Sequence, residues 1–232
     1  GKMEETLPAS WIEEKGHKKA IVVGYQKLKK NVYGFRSANF LAGKTVVIDP
    51  VPTRLWGTYY GGLQWTELNA LDKDSFGNVY FAGKTASTSN IATSGSHQPN
   101  AGFVNYPGRI TYDGYIAKFD GNGNRLWATY YGGDLDDNIK SIKVSADKNL
   151  IFCGNTSSTN NISTAGSFKE RKSGYYSEMF LGKLDSNGIR QWASYYGNDN
   201  GLTFANSVVA DEQNYIYLSG TTTSDEYIST PN

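Results

Sequence analysis

The residues in this sequence with the clearest potential for chemistry are acidic ones that follow a Tyr-Tyr-Gly-Gly word. Residues 134–138 are Asp-Leu-Asp-Asp-Asn. Carboxylate and amide oxygens are the ligands that Ca²⁺ prefers in proteins. We therefore predict Asp134, Asp136 and Asp137 as candidate calcium ligands and expect no other cofactor. The alternative interpretation is that these acidic residues cap exposed turns.

Aromatic side chains in polar segments form the second candidate group. Aromatic rings beside Asn, Ser and Thr suit sugars and peptides. The long polar segments carry several tyrosines, and a tryptophan follows the first Gly-Gly pair. We predict ligand contacts by five residues, namely Trp65, Tyr106, Tyr112, Tyr175 and Tyr176. The alternative is that the polar segments fold back over their own sheets and bury the rings.

Other reactive constellations are absent from the sequence. There is no Gly-x-Ser-x-Gly word, and two distant histidines with the single Cys153 cannot form a usual zinc site. A formal net charge of +1 argues against nucleic acid as a main partner, because phosphate binding needs a concentrated basic surface. No apolar run reaches the roughly 18 residues that a membrane-spanning helix requires, so we predict no membrane span.

The elements that must position these residues repeat along the chain. A Trp-x-Thr/Ser-Tyr-Tyr-Gly word occurs three times, and its tryptophans, Trp56, Trp127 and Trp192, lie 71 and then 65 residues apart. Each repeat contains short strand patterns separated by turns rich in Asp, Asn and Gly. Four antiparallel strands per unit are the layout of a β-propeller blade. We expect the repeated Trp and Tyr to pack between neighbouring sheets, because a lone unit cannot bury its apolar face.

We therefore predict an all-β fold with about two and a half four-stranded propeller repeats in an incomplete ring. The repeats occupy residues 53–232, in units near 63–133, 134–198 and 199–232, of which the last is partial. Closed propellers typically have about 4–8 blades, and an open stack leaves sheet faces and edges uncovered. We expect self-association, or further blades from a longer chain, to cover them.

The periodicity is absent before about residue 53. Residues 1–52 are predicted to form a small N-terminal β module, the end of a preceding domain, with strands at 20–25, 32–36 and 44–48. The Asp-Pro-Val-Pro segment that follows the last of these predicted strands provides a stiff connector, because proline fixes φ and cannot extend a strand ladder.

Linked motifs relate the repeats to a known family. Asp-x-x-Gly-Asn-Val-Tyr-x-x-Gly-x-Thr occupies 74–85, Asp-Gly-Tyr-Ile-Ala-Lys-Phe-Asp-Gly-Asn-Gly occupies 113–123, and Trp-x-Thr-Tyr-Tyr-Gly-Gly follows. Over about residues 45–232 the chain resembles the SBBP β-propeller repeat. The resemblance implies a large secreted or surface protein, often of Bacteroidota, and it brings no catalytic residues. The motif departs from the family pattern at turn positions, for example Ser145 in place of Asp74.

These observations favour a non-catalytic scaffold, or a protein- or glycan-binding module, at the extracellular or outer cell surface. The alternative is a carbohydrate-active hydrolase or lyase with carboxylates in the propeller channel. Such an enzyme needs acids from different blades to face one pocket. The corresponding first-strand positions carry Glu67, Asn138 and Phe204 rather than a repeated acid, which favours the binding module.

Overall fold

The computed structural model describes residues 7–40, 42–49, 56–104, 108–172, 174–198, 200–223 and 228. These described segments are all β-strands, turns and loops, and they contain no helix able to cross a membrane. The all-β prediction is therefore confirmed. The chain divides into two compact units, Gly1–Gly57 and Thr58–Asn232, and each has its own sheets.

In the described part of the N-terminal unit, five strands form two small sheets. They are β1 (Ala9–Glu14), β2 (His17–Ala20), β3 (Gly24–Lys29), β4 (Val32–Arg36) and β5 (Thr45–Asp49). The first sheet has the order β2-β1-β5, and β3 pairs with β4 as a separate hairpin, all antiparallel.

One strand prediction in this unit is wrong. The apolar run at 20–25 spans the end of β2, a connection and the start of β3, so it is not one strand. The reason is that Val23, inside the connection, is buried with only 1% of its surface exposed. A buried residue in a connection is as apolar as a residue in a strand, and a short apolar run alone does not distinguish the two.

The described residues of the second unit form ten strands. They are β6 (Thr66–Lys73), β7 (Val79–Thr85), β8 (Asp113–Phe119), β9 (Arg125–Tyr131), β10 (Asp137–Val144), β11 (Leu150–Thr156), β12 (Glu178–Leu184), β13 (Arg190–Tyr196), β14 (Thr203–Ala210) and β15 (Ile216–Thr222). Strands β6 to β9 form one four-stranded antiparallel sheet, blade 1, and β10 to β13 form blade 2. Strands β14 and β15 form a two-stranded sheet, the half-blade. The predicted two and a half repeats are confirmed.

Tight turns at one end of the blades are built on aspartate. Asp74, Asp120 and Asp185 each accept two backbone N–H bonds on Oδ1 at 2.9 Å, which closes the turn and satisfies its donors. In blade 2 the first of these positions is Ser145, whose hydroxyl donates to Asp147 Oδ1, and Asp147 binds Asn149 instead. The turn of blade 2 therefore forms although Ser145 replaces the aspartate at its first position.

The blades pack through the repeated aromatic words, as predicted. Tyr131, which ends blade 1, lies against Phe152 and Phe180 of blade 2 with ring centroids 4.7 and 5.6 Å away. The Tyr131 hydroxyl donates to the carbonyl of Ile162 at 2.5 Å. Trp127 also crosses the junction, since its Nε1–H donates to the Ser186 carbonyl at 3.0 Å. An aromatic ring with a polar tip thus closes the gap between two sheets.

The same sheet face is covered in one blade and open in another. Ile139 and Ile142 of β10 face blade 1 and are 0% and 6% exposed. The corresponding residues of β6, Leu68 and Leu71, are 55% and 63% exposed. Strand β10 contacts both β6 and β14. A sheet face in this unit is therefore buried where a neighbouring blade stacks on it.

Candidate functional site

The long loops and the connections between blades lie at one end of the sheets, opposite the aspartate turns. We call this the loop end. It carries residues 86–112 between β7 and β8, residues 157–177 between β11 and β12, and the connection 132–136 between the two blades. Loops raised on a rigid sheet scaffold are a common location of binding sites.

A pocket of about 310 Å³ opens at the loop end where blade 1 meets blade 2, and we call it the loop-end pocket. Its lining mixes one aromatic ring, one cation, two carboxylates, two amides and two hydroxyls with a single aliphatic residue. The lining residues are Lys84, Ile110, Tyr112, Asp136, Asp137, Asn138, Asn155, Ser157 and Ser177. Both blades contribute, so the pocket exists only when they are stacked.

Asp136 fixes the wall that carries Tyr112. Its Oδ1 accepts the Tyr112 backbone N–H at 3.0 Å, and its Oδ2 accepts from Arg109 Nη2 at 2.6 Å. The neighbouring Asp137 N–H donates to the Tyr112 carbonyl at 2.7 Å, and the Ser157 N–H donates to the Asp136 carbonyl at 2.8 Å. These bonds join the long loop of blade 1, the blade connection and the long loop of blade 2.

The charges at the pocket are largely compensated. The Lys84 ammonium lies 4.8 Å from the centre of the Tyr112 ring and 3.5 Å from Glu67 Oε2. Asp136 is paired with Arg109. The pocket therefore presents polar groups without a strong net charge, which suits a neutral polar ligand better than a multiply charged one.

Two amides in the pocket have a fixed orientation. Asn138 Oδ1 accepts from Asn69 Nδ2 at 2.6 Å, and Asn155 Oδ1 accepts from the Ala205 N–H at 2.7 Å. Each amide oxygen accepts a hydrogen bond from within the stacked blades, so each Nδ2 is left to donate to another partner. Pre-oriented donors of this kind bind hydroxyl or carbonyl oxygens of a ligand without a further loss of side-chain freedom.

Two buried carboxylates lie beside this pocket at the blade junction. A Cβ added to Gly132 would lie 2.5 Å from Asp113 Oδ1 and 2.7 Å from Asp137 Oδ2, so both carboxylates approach one glycine. Asp113 Oδ2 accepts the Gly102 N–H at 2.6 Å, and Asp137 Oδ2 accepts from Gly133 N and Ser158 Oγ at 2.8 Å. Among the described residues, the Oδ1 atoms of Asp113 and Asp137 have no hydrogen-bond partner.

Burial changes the protonation of this pair. Asp113 and Asp137 are 0% and 1% exposed. Burial raises the pKa of Asp113 to about 8, helped by the nearby charge of Asp137 and opposed by the Gly102 N–H. Burial also raises the pKa of Asp137 to about 7, against the hydrogen bonds that it accepts. Removal of a carboxylate from water favours its neutral form, and each carboxylate here opposes ionisation of the other.

Of the five aromatic residues predicted to contact a ligand, Tyr112 lines the loop-end pocket. Trp65, Tyr175 and Tyr176 do not line it, and they are 64%, 103% and 51% exposed. Tyr106 lies outside the described residues. The ligand contacts of all five remain predictions.

The three predicted calcium ligands point to different partners. Asp136 binds Arg109 and Tyr112, Asp137 binds Gly133 and Ser158, and Asp134 Oδ1 accepts a long bond of 3.4 Å from Thr159 N. Within the described segments, no three His, Cys, Asp or Glu side chains converge as metal ligands. Calcium binding is left as a prediction that only a binding experiment tests.

Most of the pocket residues carry no individual signal in the sequence. Lys84, Asn155, Ser157 and Ser177 are polar residues at strand ends, a place where polar residues are common. Asn138 drew attention only as one of the first-strand positions of the repeat. Their convergence depends on how blade 2 stacks on blade 1, which the repeat pattern does not specify to the level of individual side chains.

Comparison with known proteins agrees with this architecture. The model of the SBBP family, described as a beta-propeller repeat, matches residues 191–228. An uncharacterized WD repeat-containing protein of Acanthamoeba polyphaga mimivirus is 28% identical over 183 residues. That match covers 72% of this chain and 13% of the relative, so the chain spans a small part of the relative's length.

The stacked four-stranded blades and the family match identify the class of protein. This chain is a β-propeller repeat protein, and the SBBP sequence pattern runs through residues 191–228, from the last strand of blade 2 into the third repeat. Propellers serve many functions, so this class alone does not determine what the protein binds.

Proposed function

We propose that this chain is a non-catalytic binding module whose loop-end pocket holds a neutral sugar unit of a glycan. The observation that carries the proposal is the composition of the pocket. The Tyr112 ring stands beside the amide donors of Asn138 and Asn155 and the hydroxyls of Ser157 and Ser177. Sugars offer apolar C–H faces for stacking and hydroxyls for hydrogen bonds, which matches this mixture.

The experiment is a glycan-binding screen followed by titration of the best ligand with Tyr112→Ala. We expect about a tenfold loss of affinity, because an aromatic contact contributes about 1 kcal/mol or more beyond area burial. Tyr175→Ala is the matched control, since Tyr175 is fully exposed and lies outside the pocket. Equal loss in both variants, or none in Tyr112→Ala, would contradict the proposal.

One observation favours a second candidate, a carbohydrate-active hydrolase or lyase. Asp137 lines the pocket, and burial raises its pKa to about 7, so it retains a proton to donate near neutral pH. Asp136, in the same pocket, is a carboxylate paired with Arg109. Turnover of a bound glycan that is lost in Asp137→Asn would establish an enzyme, and binding without turnover supports the module.

The open sheet faces support the further proposal that additional blades, or a second copy of the chain, cover them. Leu68 and Leu71 occupy positions whose equivalents, Ile139 and Ile142, are buried by the preceding blade. Solution mass by light scattering after size-exclusion chromatography tests this proposal. A dimer or larger assembly supports association between copies of the chain. A monomer at all concentrations supports the alternative, in which further blades of a longer chain cover the open sheet faces.

An extracellular or outer-surface location is also proposed. It rests on the resemblance of the repeats to a family found in secreted and surface proteins. Protease treatment of intact cells that make the protein is the test. Digestion without cell lysis supports a surface location, and full protection contradicts it.

A further inference from the structure

A second pocket lies at the outer side of the junction between the two blades, and we call it the lateral pocket. It has a volume of about 250 Å³ and is separate from the loop-end pocket, with which it shares no lining residue. Blade 1 contributes residues 97–100, His-Gln-Pro-Asn, and blade 2 contributes Asn161 and Arg190. None of the lining residues that the structure describes is acidic.

Arg190 is the only charged group in this lining. Its Nη1 donates to the carbonyls of Asn161 and Ile162 at 2.9 and 3.3 Å. Its guanidinium carbon lies 5.9 Å from the centre of the Tyr131 ring. Among the described residues no carboxylate forms an ion pair with it, and the described pocket lining supplies no anion. A guanidinium has five N–H donors, more than the two carbonyl bonds use.

The corresponding arginine of blade 1, Arg125, shows which contacts of Arg190 are common to the repeats and which belong to the lateral pocket. Arg125 makes the same two bonds, from Nη1 to the carbonyls of Asn90 and Ile91, both at 3.4 Å. Arg125 is exposed and lines none of the pockets described above. Binding the loop carbonyls is therefore the shared role of this repeat position, and enclosure in a pocket is specific to Arg190.

The other walls offer neutral hydrogen-bonding groups. His97 packs over Tyr131 with ring centroids 5.9 Å apart. Burial, together with the charge of Arg190, lowers the pKa of His97 to about 4, so the imidazole is neutral at physiological pH. The side chains of Asn100 and Asn161 add amides, whereas the Gln98 amide donates to Asp113 Oδ2 and accepts from the Gly132 N–H. One cation surrounded by neutral donors and acceptors matches a ligand with one carboxylate and several hydroxyls.

We propose that the lateral pocket is a binding site for a hexuronate, with the ligand carboxylate on Arg190 and its hydroxyls on the surrounding amides. A guanidinium binds a carboxylate through two parallel N–H bonds, and the pocket volume suits a single sugar ring. The site uses different residues from the loop-end pocket and stands without the function proposed for that pocket.

The test is calorimetric titration of the full chain with glucuronate, glucose and acetate. We expect saturable binding of glucuronate and at least about tenfold weaker binding of glucose and acetate, because glucose lacks the carboxylate that pairs with Arg190 and acetate lacks the hydroxyls that bind the amides. Arg190→Lys should weaken glucuronate binding by about tenfold or more, because lysine cannot form the bidentate pair. Arg125→Lys is the matched control, since it removes the same carbonyl bonds outside the pocket.

A second variant keeps the test decisive if Arg190→Lys unfolds the chain. Asn100→Asp places a carboxylate at the exposed rim of the pocket and should weaken glucuronate binding while it leaves the Arg190 carbonyl bonds intact. Tyr112→Ala should leave glucuronate binding unchanged, which separates this site from the loop-end pocket. Absence of saturable binding, equal binding of glucose or acetate, or equal losses in Arg190→Lys and Arg125→Lys would overturn the proposal.

Discussion

The substitution Asp113→Asn should make the protein more stable at pH 8 than the unchanged chain. Asp113 is buried beside Asp137, and its Oδ1 has no hydrogen-bond partner in the described structure. An asparagine keeps an oxygen to accept the Gly102 N–H that now bonds Oδ2 at 2.6 Å. Its amide nitrogen takes the place of the unpartnered Oδ1. The substitution also leaves one carboxylate at Gly132 in place of two that repel each other when ionised.

The magnitude follows from the raised pKa values. In the unfolded chain both carboxyls ionise near 3.8, whereas in the folded chain burial raises the pKa of Asp137 to about 7 and that of Asp113 to about 8. The folded state therefore holds more protons in this window, so stability is highest below about pH 4 and falls as the pH rises through about 7 to 8. Each group that keeps its proton contributes a slope of about 1.4 kcal/mol per pH unit.

The assay is urea unfolding of the original chain and the variant at pH 4, 6 and 8. The gain of Asp113→Asn should be within about 1 kcal/mol of zero at pH 4 and reach about 5 kcal/mol at pH 8, because the slope acts over about four pH units. Asp120→Asn is the control. Asp120 holds an exposed turn through bonds to Asn122 and Asn124, so its loss should destabilise the protein. A variant less stable than the original chain at pH 8, or a difference independent of pH, would refute the reasoning.

Other predictions test the blade packing and the acidic cluster. Ile142→Ala should cost about 2–4 kcal/mol of unfolding free energy, and Leu71→Ala at the equivalent exposed position less than about 0.5; a large cost at Leu71 would mean that its face is covered in solution. Tyr131→Phe should cost about 0.5–1.5 kcal/mol in the same assay, because it removes the hydroxyl bond to the Ile162 carbonyl, which keeps its bond from Arg190. If calcium binds the acidic cluster, Ca²⁺ should raise the melting temperature of the original chain and not that of Asp136→Asn; no rise in either would remove the calcium prediction.

The periodic signals of the sequence predicted the propeller unit well. Strand order and turn positions followed from local rules, because aspartate turns and alternating or continuous apolar runs are set by residues close together in the chain. The continuous apolar run Leu150–Gly154 predicts a strand buried on both faces, and all of its residues are buried in β11. The apolar run at 20–25 was misleading, because its residues belong to two strands and the connection between them.

The packing of the repeated aromatics was also predictable as a class of contact but not in detail. A repeat must bury its apolar face against a neighbour, so Trp127 and Tyr131 had to lie between sheets. Which atoms they would bind, the carbonyls of Ser186 and Ile162, depends on loops 59 and 31 residues away in the chain. No local pattern in the sequence specifies such partners.

The sequence by itself determined a stack of antiparallel blades, the location of its turns and the absence of familiar catalytic motifs. Tertiary structure alone decided which polar residues meet. Asp113 and Asp137 are adjacent only because blade 2 stacks on blade 1, and the same stacking encloses Arg190 while Arg125 remains exposed. The physical reason is that periodicity is a local property of the chain, whereas burial, pKa and pocket shape arise from contacts between blades.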